Sequence, residues 1–197
     1  MSSVLPNSKA EPAAGCCDIR WQTLILPLVL AVSGCAIDLA SKHLVFAWLG
    51  LPGESAIFWV VRDLVGIETS LNQGALFGLG QGKVAMFAAF SFVAIAGIGY
   101  WLTVGKASQD RFLAIILGTV LGGILGNLYD RMGLWSYGME PRVYAVRDWI
   151  RLSWGEHVWP NFNIADSLLV VGAGCLVVYS YLSEARSPKS NRDAVSE

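Results

Sequence analysis

Histidine is almost missing from this chain, and the two that occur, His43 and His157, sit in no motif. No Ser-His-Asp or Cys-His set is therefore in evidence. Cysteine is scarce as well. Cys16 and Cys17 are adjacent in a polar leader, and Cys35 and Cys175 lie inside apolar runs, where a thiol packs as a small hydrophobe. None has zinc-site or disulfide-framework spacing. Charge is thin: 15% of residues are charged, against about 25% in an ordinary soluble domain. A net charge of -1 offers nothing to nucleic acid. The glycine-rich stretch LNQGALFGLG is not followed by Gly-Lys-Ser/Thr, so it is no phosphate loop.

What the chain does have is apolar residues, 54% of it, gathered into four long runs. A helix needs roughly 20 residues to cross a bilayer. The runs predict spans at about 21–41, 84–104, 112–129 and 164–182, an all-α four-helix membrane bundle. Pro27 is a candidate kink in the first. Gly118, Gly122, Gly123 and Gly126 let helix backbones approach closely in the third. Residues 1–20 read as a disordered leader, 21–183 as one domain and 184–197 as a disordered tail. Between the first two spans, about residues 46–82, Phe58–Val61 and Gly66–Leu71 suggest short strands and a small β-platform at the membrane surface. Residues 132–162 form a second outer segment of mixed polarity. Four spans put both termini on one side. The positive-inside rule does not say which, because the fourteen Lys/Arg split evenly between the two faces. The short basic link GKASQDR favours a cytoplasmic side.

Polar residues cluster where the spans end, and all face one side if the spans alternate. A charged group at membrane depth is costly and is seldom kept without a task. Asp38 and Lys42, four apart, share a helix face. They read either as an interfacial ion pair with Lys42 snorkelling, or as a scaffold for a site. Asn127, Asp130 and Arg131 share a second face; Arg131 could pair with Asp130 or with lipid phosphate. A helix cap explains one of these three, not all. Asn163 suits an N-cap and Asp166 the first turn of the last span. Asn72 followed by Gly74 suggests a turn. Asp148 has Arg147 and Arg151 nearby. It is either a surface salt bridge or half of a carboxylate dyad with Asp166, in which one group serves as base and the other as acid.

Taken together, these blocks resemble a known family. Asp38-x-x-Ser41-Lys42, Asn72-x-Gly74-x-x-Phe77, Gly122-Gly123-x-x-Gly126-Asn127-x-x-Asp130-Arg131, Val146-Arg147-Asp148-Trp149-Ile150 and Phe162-Asn163-x-Ala165-Asp166-Ser167 are similar to those of type II signal peptidases, bacterial membrane aspartyl proteases of the A8 peptidase family. The resemblance covers roughly residues 22–182. It implies removal of the signal peptide from diacylglyceryl-modified prolipoproteins, cutting before the lipidated cysteine. It places Asp148 and Asp166 at the catalytic positions. Asp38, Lys42, Asn72, Gly74, Asn127, Asp130, Arg131, Asn163 and Ala165 fall at supporting or substrate-binding positions. It implies no metal or organic cofactor, membrane lipids as partners, and a monomer. It also implies an inner-membrane location with cytoplasmic termini and a site near the periplasmic face. The resemblance further implies an extended substrate held by the platform of residues 46–82, by strand addition. Three features depart from the pattern: a longer stretch through Gly133–Tyr144, Trp149 where phenylalanine is usual, and the long leader.

Three other readings compete, one of them a structural membrane protein whose polar residues merely cap helices. Val32-Ser33-Gly34-Cys35 follows an apolar run and resembles a lipobox, but cleavage there would remove most of a span. An ion or proton transporter predicts carboxylates near mid-membrane, whereas these sit at span ends.

Overall fold

The computed structural model describes residues 21–74 and 80–186. The expected leader and most of the tail lie outside them, as do Phe77 and Gly78. Helix α1 (Trp21–Leu49) opens the fold. It is followed by strands β1 (Phe58–Val61) and β2 (Val65–Asn72) and helix α2 (Val84–Thr103). A single 3-10 turn leads into α3 (Arg111–Arg131). Strands β3 (Val146–Trp154) and β4 (His157–Phe162) then precede α4 (Ile164–Arg186). All four helices are long and apolar enough to cross a membrane. The four strands form one antiparallel sheet in the order β1-β2-β3-β4.

Three of the four spans lie close to expectation. The first does not: α1 runs 29 residues, well past position 41. Two causes are visible. Asp38 and Lys42 neutralise each other inside the helix, so they do not end it. Leu44–Leu49 then resumes an apolar helical run, which Gly50 stops in the left-handed region at φ 78°. Strands β1 and β2 fall where the sequence places them. Strands β3 and β4 were legible only as an outer segment. Gly155, at φ 58°, turns the chain between them.

Helix α3 is the centre of the bundle, with two thirds of its most apolar stretch buried, against a fifth or less for α4 and α2. Its small residues explain this. A Cβ on Gly118 would meet Pro27 of α1 at 2.6 Å, and one on Gly122 would meet Ala31 at 3.1 Å. One on Gly126 would strike the Asp38 carboxylate, and one on Gly123 would meet Ala165 of α4 at 2.6 Å. The stripe thus seats α1 and α4 against α3 at the end where the polar residues gather. Asp110 caps the other end: it accepts from Leu113 N at 3.0 Å, and its second oxygen accepts from Tyr179 at 2.9 Å.

Candidate active site

The polar residues predicted from sequence converge in one buried cluster. Lys42 sits at its base and is fully buried, so the snorkelling reading is wrong. Its ammonium lies 2.7 Å from Asp38 Oδ2, 2.9 Å from Asn127 Oδ1 and 3.3 Å from Asp130 Oδ2. The other oxygen of Asp38 accepts from the Ala165 backbone N–H at 2.9 Å. That N–H belongs to the first turn of α4, where a carboxylate meets the positive end of the helix. Asp38 therefore locks α1 to α4. Ala165 itself is fully buried, as the close approach of Gly123 demands.

Asp130 is held by a residue that the sequence reading set only beside Asp148. Arg147 donates its backbone N–H to Asp130 Oδ2 at 2.9 Å and its guanidinium to Oδ1 at 2.8 Å. The guanidinium lies over the rings of Phe46 and Trp135, 5.9 and 5.1 Å from their centroids. Trp135 comes from the Gly133–Tyr144 stretch, and its indole N–H is tied to Ala145 O at 3.1 Å. This stretch thus roofs the Asp130–Arg147 pair. Arg131, read beforehand as a partner for Asp130 or lipid phosphate, turns elsewhere. It donates to Gly74 O at 3.3 Å and lies over the Phe87 ring. An arginine next in sequence points off the face of its neighbour, while Arg147 arrives from β3 with two groups aimed at it.

Asp148 and Asp166 meet through a shared pair of amides. Asn163 donates from Nδ2 to Asp148 Oδ1 at 2.6 Å and to Asn127 Oδ1 at 3.1 Å. Its Oδ1 accepts from the Asp166 N–H at 2.9 Å, and its own N–H donates to Asp166 Oδ2 at 3.3 Å. That reciprocal pair is a capping box at the start of α4. The cap reading of Asn163 is therefore correct, and the same side chain also joins the two carboxylates. Asn127 completes the link by donating to Asp166 Oδ1 at 2.8 Å. Asn72 hydrogen-bonds Asp148 and accepts from Gly74 N at 2.8 Å, the expected turn.

Asp148 is not a surface salt bridge. It is 1% exposed, and its flanking arginines go to Asp130 and Glu68. Burial raises its carboxyl to about 7, and the charge of Asp166 pushes the same way. Among the described residues, the carboxylates Asp38, Asp130, Asp148 and Asp166 are set against the cations Lys42, Arg131 and Arg147. One extra proton would balance the set. Asp166 is the most open of the four at 9% exposure. It lines a cavity of about 300 Å³ with Asn72, β4 and the first turns of α4.

Comparison with known proteins agrees with this architecture. The profile of one family, "Signal peptidase (SPase) II", matches residues 30–182. A lipoprotein signal peptidase of Rhodopirellula baltica is 48% identical over 155 residues, covering 77% of this chain and 70% of the relative. One from Symbiobacterium thermophilum is 31% identical, covering 82% of this chain and 98% of the relative. A solved bacterial membrane enzyme superimposes with a TM-score of 0.69 at 22% identity, over 83% of this chain and 92% of that one. A second gives 0.62 at 23% identity, over 78% and 91%. These superpositions show a shared fold, which with its four apolar helices is that of a multi-pass membrane protein. The family match and the identity together settle the lineage: the chain belongs to the signal peptidase II family.

Proposed function

We propose that this chain is a membrane-embedded aspartic endopeptidase that removes the signal peptide from diacylglyceryl-modified prolipoproteins, cutting just before the lipidated cysteine. Family membership supports the substrate class. The observation that carries the chemistry is the Asn163 bridge between two buried carboxylates in a cluster one proton short of balance. Two such carboxylates share a proton, because both cannot ionise side by side. Asp148, with its carboxyl near 7, keeps the proton. Asp166, open to the cavity, is the base.

In this mechanism Asp166 takes a proton from a water placed between the pair. The hydroxide adds to the scissile carbonyl while Asp148 gives its proton to the carbonyl oxygen. A neutral tetrahedral diol results. Asp166 then passes its proton to the amide nitrogen, the C–N bond breaks, and Asp148 recovers a proton from the diol. Water has been added across the bond and the pair returns to its starting state. Lys42, Asp38, Asn127, Asp130 and Arg147 hold the geometry, and Asn163 keeps the pair in register.

The same reading puts both termini in the cytoplasm and the site at the outer face of the bacterial inner membrane. Substrate enters sideways from the bilayer, and a single chain suffices. The test is incubation of the purified chain in nanodiscs with a diacylated prolipoprotein and its unlipidated counterpart, with product masses measured. A new N-terminus at the lipidated cysteine, from the diacylated substrate only, is the expected result. Cleavage elsewhere, or none, would refute the proposal.

A further inference from the structure

Aspartic peptidolysis needs an extended peptide at the carboxylates, and an extended peptide seeks unpaired strand backbone. The family resemblance pointed to the platform of residues 46–82. The strand order redirects that expectation. Strand β2 is paired on both sides, by β1 and by β3. Among the described residues, only β1 and β4 have a free edge. The edge of β1 lies two strands from β3, which carries Asp148, or about 10 Å at the usual spacing. Strand β4 is next to β3 and runs directly into Asn163 and Asp166.

The cavity at Asp166 borders β4 next to the start of α4. Trp159, Pro160, Asn161 and Phe162 all line it, in the part of β4 where the register with β3 is irregular. The same cavity is lined by Asp166 and reaches Asn72, which touches Asp148. The register shows which backbone groups are free. Ser153 gives its N–H to Leu64 O at 2.9 Å, away from β4. Its cross-strand partner Val158 therefore turns its own N–H and carbonyl outward. Val158 is half exposed, and no described strand covers it.

Resting on the peptidase reading above, we infer that the substrate segment around the scissile bond adds to the sheet as a fifth strand on the free edge of β4. Val158 is then a positioning residue acting through its backbone. Valine to proline at this site removes the outward N–H and leaves the β3–β4 hydrogen bonds in place.

The test compares Val158→Pro with Val60→Pro, a like change on β1, using the full chain in nanodiscs and a diacylated prolipopeptide. Val158→Pro is expected to raise KM at least fivefold with kcat within twofold of wild type, and Val60→Pro to leave KM unchanged. A photoreactive residue in the extended part of the same substrate supplies a second readout that does not depend on the proline variant folding. Its adduct is expected on residues 157–162. An adduct on residues 58–61, or an unchanged KM in folded Val158→Pro, overturns the edge assignment and leaves the peptidase reading standing. Failure of wild type to cut the substrate overturns both.

Discussion

Replacing Lys42 by methionine removes a fully buried charge held by Asp38, Asn127 and Asp130. Methionine keeps the length and apolar stem and removes the charge. Asp130 keeps Arg147, so the damage falls on Asp38, whose Oδ2 loses its contact at 2.7 Å. Asp38 is fully buried, and its remaining contact is the single N–H of Ala165. Leaving one buried charge without its partner costs about 3–5 kcal/mol. For a chain of this size that is a fall of roughly 6–20 °C in Tm. The assay is intrinsic tryptophan fluorescence on heating in detergent. The double variant Asp38→Asn with Lys42→Met removes both charges while the asparagine oxygen still accepts from Ala165. It is expected to recover at least half of the loss. A single variant that melts within about 1 °C of wild type would refute the argument, because an exposed pair is worth only about 0–1 kcal/mol.

Three further outcomes are expected. The Asp148 carboxyl is raised in the fold, so the native state holds more protons than the unfolded chain between the ordinary carboxylate range and about 7. This contribution to stability therefore falls as pH rises through that window and levels off above it, and thermal melts of Asp148→Asn across the same pH range should show a shallower slope. The peptidase rate should decline above about pH 7, as the acid is lost. Asn163→Ser keeps a good N-cap but breaks the amide bridge to Asp148, so kcat should drop at least about tenfold while Tm moves little, measured by paired kinetics and melts. Trp135→Ala uncovers Arg147 and should cost about 2 kcal/mol in denaturant unfolding, whereas Trp135→Phe, which keeps a ring over the guanidinium, should cost less than half of that.

The spans were legible because each apolar run approaches the bilayer's length, and the polar cluster was legible because charge at a span's end is conspicuous. What escaped was set by distant contacts. The length of α1 depends on Lys42 being held by Asp38, Asn127 and Asp130, two of which lie on another helix. Arg147 looked like a neighbour of Asp148, and its pairing with Asp130 comes from the path of β3 past the end of α3. Strand β3 did carry a signal, since Ile150-Arg151-Leu152-Ser153-Trp154 alternates apolar and polar. It is blurred upstream, where Arg147 and Asp148 are both buried to serve the cluster. Local pattern fails at that point because the site overrides it.

The central claim is that Asp148 and Asp166 act as one unit. Single-turnover cleavage of a diacylated prolipoprotein by wild type, Asp148→Asn and Asp166→Asn, each shown folded by its melt, tests it most directly. Both variants should lose at least about a thousandfold in rate, consistent with the grossly non-additive behaviour of groups that act together. A folded Asp148→Asn enzyme cutting at near wild-type rate would contradict the account.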